Sequence, residues 1–158
     1  MIRSPQFGAI LLRASELIAI QGQEVFEKLN ISLPANRISL VLAISTQGPL
    51  SSTELAKHIG LSRQLIESRL KQSVQDGFFV SVPDKRDSRK RVYDIAPKAK
   101  EEAAQIVAIM QDFEAVYDAL WEEIEVNLES SLKSMEHALN KQSLLARLNT
   151  QFPHHSNS

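Results

Sequence analysis

The sequence contains no cysteine. Disulfides, cysteine zinc sites and a thiol redox switch are excluded together. Glycine and proline are sparse, at five and six copies, and the composition favours helix over sheet. No apolar run approaches the roughly 18 residues that a membrane helix needs. Near the start, FGAILL is followed at once by Arg13 and Glu16. That stretch is too short for a signal-peptide core, so a cytoplasmic location is expected. The four histidines, at 58, 137, 154 and 155, offer no metal-ligand spacing. There is no Ser/His/Asp order and no glycine-rich phosphate loop. Carboxylates are abundant but fall on helix surfaces, without a sign of a pocket. Neither an enzyme nor a cofactor is expected.

What is there suits one domain, or one domain with an appended element: 158 residues, 43% of them hydrophobic and 23% charged. The formal net charge of −1 conceals an asymmetry. Between Lys57 and Lys100, eleven Lys or Arg face five Asp or Glu, a surplus of +6; the remainder carries seven against fourteen, or −7. A basic middle with acidic flanks is what a protein needs if only its middle faces a polyanion.

Apolar spacing divides the chain into elements. Residues 6–29 predict a helix, with Phe7, Leu11, Ala14, Ile18, Val25 and Leu29 at intervals of three and four. Pro34 starts a short, very apolar helix that Gly48-Pro49 ends. Ser52 or Thr53 is expected to cap a helix containing Leu55, Ala56 and Ile59, with Gly60 closing it. Ser62 caps the next helix, whose seam is Ile66, Leu70 and Val74, and Asp76-Gly77 ends it. Two short helices joined by GLS form a helix-turn-helix layout. FFVSV and VYDI then read as strands around the polar loop PDKRDSRK, hence as a hairpin with a charged tip.

Pro97 restarts a helix expected to run about 28 residues, or some 42 Å. Asn127 is expected to cap another, carrying Leu128, Leu132, Met135 and Leu139 and extended by Leu144, Leu145 and Leu148. The fold class is therefore mainly α with a small β-hairpin wing. Regions 1–33 and 97–150 form a helical dimerisation region, 34–96 a winged helix-turn-helix domain, and 151–158 a disordered tail. The first and last helices have more apolar surface than one small winged domain can cover. A two-fold dimer covers it through Phe7, Leu11, Phe113, Leu120, Ile124, Leu132, Met135 and Leu139. The other solution is a monomeric bundle of the same helices.

This order of elements, with the residues LSSTELAKHIGLSRQLIESRLKQSVQDGFFV and DKRDSRKRVYDI, resembles the MarR (multiple antibiotic resistance regulator) family of winged-helix transcription regulators. The resemblance covers roughly residues 6–148, and its wing signature falls on Asp84, Arg86, Asp87 and Arg89. It implies a homodimer on a pseudo-palindromic double-stranded DNA site, more often a repressor. The helix at 62–76 would enter the major groove, and Arg89, braced by Asp87, the minor groove. Lys85, Lys90 and Arg91 would meet phosphates, with Arg86 in the same wing. A small aromatic or amphipathic effector is a further implication; the absence of Cys disfavours the peroxide-sensing branch. Two departures stand out. Ala96 replaces a capping residue before the long helix, and Ser73 replaces a frequent leucine, which leaves the apolar role to Val74.

The chemistry of the residues agrees with these roles. An arginine in a narrow minor groove meets an enhanced negative potential. On the recognition helix, Ser62, Arg63, Gln64, Ser68 and Lys71 lie away from the seam, with Arg63 and Gln64 near the end from which base contacts usually come. Glu67 has three readings: an acceptor for cytosine N4, or a partner of Arg63 or of Lys71. The stripe Phe113, Tyr117, Trp121 is read as dimer core, with a ligand pocket as its second role. A charged hairpin loop taken alone also fits a merely solvated loop, and a winged helix can bind protein and not DNA. The position of the loop, between two strands and after a helix-turn-helix, argues against the first, and five basic residues at its tip argue against the second.

Overall fold

The computed structural model describes residues 6–153. The expected tail lies outside the described residues from 154 onward, as do His154 and His155 and residues 1–5 of the expected dimerisation region. The elements are α1 (Phe7–Lys28), a 3-10 turn (Ala35–Arg37), α2 (Ile38–Gln47), α3 (Ser52–Ile59), α4 (Arg63–Gln75), β1 (Phe79–Pro83), β2 (Arg91–Ile95), a second 3-10 turn (Pro97–Ala99), α5 (Lys100–Glu123), α6 (Leu128–Lys141) and α7 (Leu144–Gln151). Contacts divide the chain into two compact units that meet within α5, one up to Met110 and one from Gln111.

The first unit holds the core. Phe26 of α1, Leu40 and Val41 of α2, Leu55 of α3, Ile66 and Leu70 of α4, Phe79 of β1 and Ile106 of α5 are all buried in one cluster. Each such side chain stabilises by roughly 2 kcal/mol on leaving water. β1 and β2 pair antiparallel, Phe79 opposite Ile95 and Val82 opposite Val92. Leu50 adds one bridge to Tyr93, with hydrogen bonds in both directions (3.2 and 2.8 Å). The hairpin is thereby tied to the loop that leads into α3. The fold is the mainly helical one with a β-hairpin wing that the periodicities predict.

Several local expectations need correction. Ser51, not Ser52 or Thr53, caps α3: its hydroxyl accepts from the Glu54 N–H (3.3 Å), and Glu54 Oε2 accepts from the Ser51 N–H (2.8 Å). The spacing Ser-x-x-Glu is what a capping box requires, and only Ser51 stands three residues before Glu54. Ser73 is fully buried and Val74 only partly so, hence Val74 does not take over the seam position alone. β1 starts at Phe79, not Phe78. The long helix is a 3-10 turn followed by 24 residues, shorter than expected.

In the second unit, Asn127 caps α6 as expected, accepting from the Ser130 N–H (2.8 Å). Leu144, Leu145 and Leu148 do not extend α6. They form a separate helix capped by Ser143, whose hydroxyl accepts from the Ala146 N–H (3.2 Å). Arg147 of α7 donates to the carbonyls of Gln142 (3.0 Å) and Ala138 (2.8 Å), which ties α7 back to the end of α6.

The capping box makes a stability prediction. Bonds from the Ser51 hydroxyl and then the Ser51 N–H hold the Glu54 carboxyl below the ordinary carboxylate range. A depressed folded value means that the contribution is complete above the unfolded value and is lost as pH falls through the folded one. Ser51→Ala is expected to cost about 1 kcal/mol near neutral pH. Glu54→Gln is also expected to destabilise, and its difference from the wild type should shrink below about pH 4. Urea unfolding followed by circular dichroism at pH 7 and pH 3 checks both.

Candidate nucleic-acid interface

Helix α4 is held from one side. Ile66, Leu70 and Ser73 have no exposed surface. The opposite face, with Arg63, Gln64, Ser68 and Lys71, is exposed. Ser62 is the N-cap and its hydroxyl accepts from the Leu65 N–H (3.3 Å), so this cap already has one internal partner. At the other end Gly77 adopts φ +74°, and a Cβ there would lie 2.5 Å from Lys98 Nζ. The lysine tip can move aside, so it is the left-handed turn that calls for glycine here.

Glu67 takes one of its three readings. Its Oε1 accepts from Arg63 Nε (2.7 Å) and from the Ser52 hydroxyl (3.2 Å). The Arg63 bond, followed by the Ser52 bond, holds its carboxyl below the ordinary range. The three side chains join the start of α3 to the first turn of α4, and they aim the Arg63 fork.

The wing tip repeats one device twice. Asp84 Oδ1 accepts from the Arg86 N–H (2.8 Å), and Asp87 Oδ1 accepts from the Arg89 N–H (3.2 Å). Each aspartate therefore turns the backbone two residues ahead, as short acceptor side chains do. Each also faces its arginine's Nε, at 3.7 Å for Asp84–Arg86 and 3.2 Å for Asp87–Arg89. The Arg86 N–H holds the Asp84 carboxyl below the ordinary range. The Arg89 side chain is 90% exposed, so the brace orients the arginine without covering it. Backbone bonds between Asp84 and Lys90 and between Lys90 and Asp87, both 2.9 Å, close the tip. Lower down, Arg91 donates to the Ser81 hydroxyl (3.0 Å) and to the Ser81 carbonyl, which lays it along the hairpin.

These parts meet in one groove of about 810 Å3. Arg63, Arg86, Asp87, Lys90 and Arg91 line it, together with Ser52, Glu54, Glu67, Asp84 and Tyr93. Among the expected residues, Ser62, Gln64, Ser68, Lys71, Lys85 and Arg89 are not among its lining; they are exposed on α4 or on the wing. The lining balances four cations, Arg63, Arg86, Lys90 and Arg91, with four carboxylates, Glu54, Glu67, Asp84 and Asp87, so what the region offers a polyanion is the exposed cations of α4 and the wing, three of them braced by carboxylates. Among the described residues no cluster of His, Cys, Asp or Glu is arranged to hold a metal ion, and no helix is long and apolar enough to cross a membrane.

Solved structures share this fold over most of the chain. BpsR of Bordetella bronchiseptica, whose DNA binding is regulated by 6-hydroxynicotinic acid, aligns with a TM-score of 0.68 and 18% identity over 86% of this chain and 96% of its own. The transcriptional regulator BldR from Sulfolobus solfataricus aligns at 0.58 and 17%, over 89% and 99%. NMB1585, a MarR family regulator from Neisseria meningitidis, aligns at 0.58 and 17%, over 86% and 94%. This chain has the MarR-type winged-helix fold. No protein-family model matches the sequence, and no curated protein matches it. At these identities the likeness shows the fold. In MarR-type terms, α3 and α4 are the helix-turn-helix and residues 79–95 are the wing.

The residues expected at a dimer surface divide by exposure. Phe7, Leu120, Ile124 and Leu139 are exposed, while Leu11, Phe113, Leu132 and Met135 are half-buried. Tyr117 stacks on Trp121 with ring centroids 5.6 Å apart and meets Phe113 at 6.0 Å, forming a ladder along α5. Sequence reasoning missed Arg37, which is almost wholly buried and grips the end of α4. Asp87→Ala should release the tip arginine. Backbone 15N relaxation is expected to show lower order at Arg89 in this variant and unchanged order along α4.

Proposed function

We propose that the protein is a sequence-specific DNA-binding transcription regulator, a repressor, acting as a homodimer on a pseudo-palindromic site. The observation that carries this reading is the set of exposed cations on two neighbouring elements, Arg63 and Lys71 on α4 and Lys85, Arg86, Arg89 and Lys90 on the wing, with Arg63 and the wing meeting across one groove. A helix that stands proud on its polar face and a wing tipped with a braced arginine suit the major and the minor groove of one duplex. Arg63, Gln64, Ser68 and Lys71 face the major groove in this reading, and Ser62 a phosphate. Arg89 enters the minor groove, and Lys85, Arg86, Lys90 and Arg91 serve phosphates that position the dimer. The fold shared with BpsR, BldR and NMB1585 supports the assignment.

The dimer is proposed from apolar surface. Ile10, Leu12, Leu17, Ile18 and Ile20 of α1 and Leu144, Leu145 and Leu148 of α7 are exposed in the single chain. Patches of that size on a lone chain mark association sites. A second copy that interlocks with regions 1–33 and 97–150 would cover them. The aromatic ladder Phe113–Tyr117–Trp121 belongs to the same region, and a small aromatic effector of the kind BpsR answers to would bind there.

The test starts with fragments of genomic DNA selected by the purified protein. Arg89→Ala is expected to weaken binding to the selected site by about 1–3 kcal/mol. Lys90→Ala should weaken all duplexes alike and flatten the salt slope by about 1. Titrations at several salt concentrations read both. Wild-type protein that shows no preference for any duplex over heparin at low salt would sink the regulator reading in favour of a protein-binding module. Light scattering should give twice the chain mass, and Leu120→Glu should lower it.

A further inference from the structure

Arg37 stands at the end of a 3-10 turn that follows proline, where a surface charge would be unremarkable. It is instead buried. Its Nη1 donates to Asp76 Oδ2 (2.5 Å) and to the Ser73 hydroxyl (3.4 Å), and its Nη2 donates to Gln72 Oε1 (3.2 Å). All three partners lie in the last turn of α4 or at its C-cap. The Ser73 hydroxyl passes its own hydrogen to the Arg69 carbonyl (2.8 Å), so the buried serine is satisfied as acceptor and as donor.

A few residues earlier the same loop is fixed to another element. Glu102, in the first turn of α5, accepts from the Ser32 N–H (2.5 Å), the Ser32 hydroxyl (3.0 Å) and the Leu33 N–H (3.0 Å). The segment 32–37 is thus a strap with a charged grip at each end. A carboxylate of α5 holds one end, and a guanidinium on the strap holds α4. Arginine presents a planar fork that one charged point cannot match, and bonds to ionised groups are about twice as strong as neutral ones.

We propose that Arg37 is a positioning residue for the recognition helix. Through the strap held by Glu102 it fixes the angle of α4 to the start of α5, and with it the registration of α4 on DNA. Apolar contacts of Ile66 and Leu70 hold α4 against the core but leave sliding and rolling cheap. The three directional bonds at Gln72, Ser73 and Asp76 remove that freedom. The DNA part of this proposal rests on the regulator reading, whereas the anchoring part does not.

The absence of cysteine makes a direct measurement simple. Ser68→Cys on α4 and Ala104→Cys on α5 give two spin-label sites per chain, both at exposed native side chains, and mixing with an excess of unlabelled protein leaves one labelled chain in each dimer. The distance distribution between the labels, taken without DNA, should be narrow in the parent. It should broaden in Arg37→Lys, which keeps the charge and loses the fork. In the label-free protein, Arg37→Lys should lower the ratio of selected-site to random-duplex affinity by about tenfold, with random-duplex affinity within about twofold of wild type. Glu102→Gln, which loosens the opposite end of the strap, should act in the same direction and carries the test if Arg37→Lys does not fold. An unchanged distribution in a folded variant overturns the proposal, and so does a broadened one with an unchanged affinity ratio. Broadening in a protein whose wild type prefers no duplex over heparin supports the anchoring and refutes the DNA reading.

Discussion

A helix that leaves one whole face exposed can be held only by its other face. In this chain that means the seam of α4, where Ile66 and Leu70 have no exposed surface. Everything near the candidate interface follows from it. The seam fixes which side chains remain outward, and therefore why Arg63, Gln64, Ser68 and Lys71 are exposed together. It also limits how α4 can be secured, because polar anchors can be placed only at its two ends. At the start, Ser62 caps the helix and Glu67 links Arg63 to Ser52 of α3. At the finish, Gly77 turns the chain away and Arg37 grips the last turn.

The wing solves the same problem on a smaller scale. A hairpin tip has no core behind it, so burial cannot order its side chains. Local bonding does so instead, through two aspartates that each accept from the backbone two residues on and face the arginine there. Exposed ion pairs contribute little to stability, with a median near 0–1 kcal/mol. Their effect at the tip is on direction. An arginine already aimed loses less freedom when it meets a phosphate or a groove.

Much of this was legible in the chain because it is local. Gly60 and Asp76-Gly77 as helix ends, Ser62 and Asn127 as caps, and the two strands about a polar loop are all encoded within a few residues. The capping box was equally local and was missed only because three hydroxyl residues stand in a row; Glu54 identifies Ser51 as the partner. Leu144 reads as a continuation of α6 because leucine spacing carries through Gln142 and Ser143, and the cap at Ser143 is what breaks it. Arg37 was different in kind. Its partners lie 35 to 39 residues away, and no periodicity signals a contact at that range. The dimer surface was suggested by surplus leucine and isoleucine, a pattern that reports too much apolar area without saying what covers it.

Ser73 joins these strands of reasoning. Leucine at that position would add apolar contact to the seam, and a buried hydroxyl without partners would cost about 1–3 kcal/mol. The hydroxyl is neither orphaned nor idle, since it accepts from Arg37 and donates to the Arg69 carbonyl. Replacing an apolar contact by a satisfied polar one gains little in stability, as buried ionic groups commonly show against apolar residues of similar size. What it gains is geometry. Two apolar helices in contact tolerate a range of crossing angles with scatter of some 15–20°, whereas a planar guanidinium bonded to a hydroxyl, an amide oxygen and a carboxylate tolerates far less. For a core helix that scatter is harmless. For a helix whose outer face is to meet DNA, as proposed above, a few degrees at its buried end move the far end by about an ångström or more, given the 1.5 Å rise per residue over its length. A serine at position 73 is therefore intelligible as apolar contact forgone for orientation, at the finishing end of α4, where orientation can be set without obstructing its outward face.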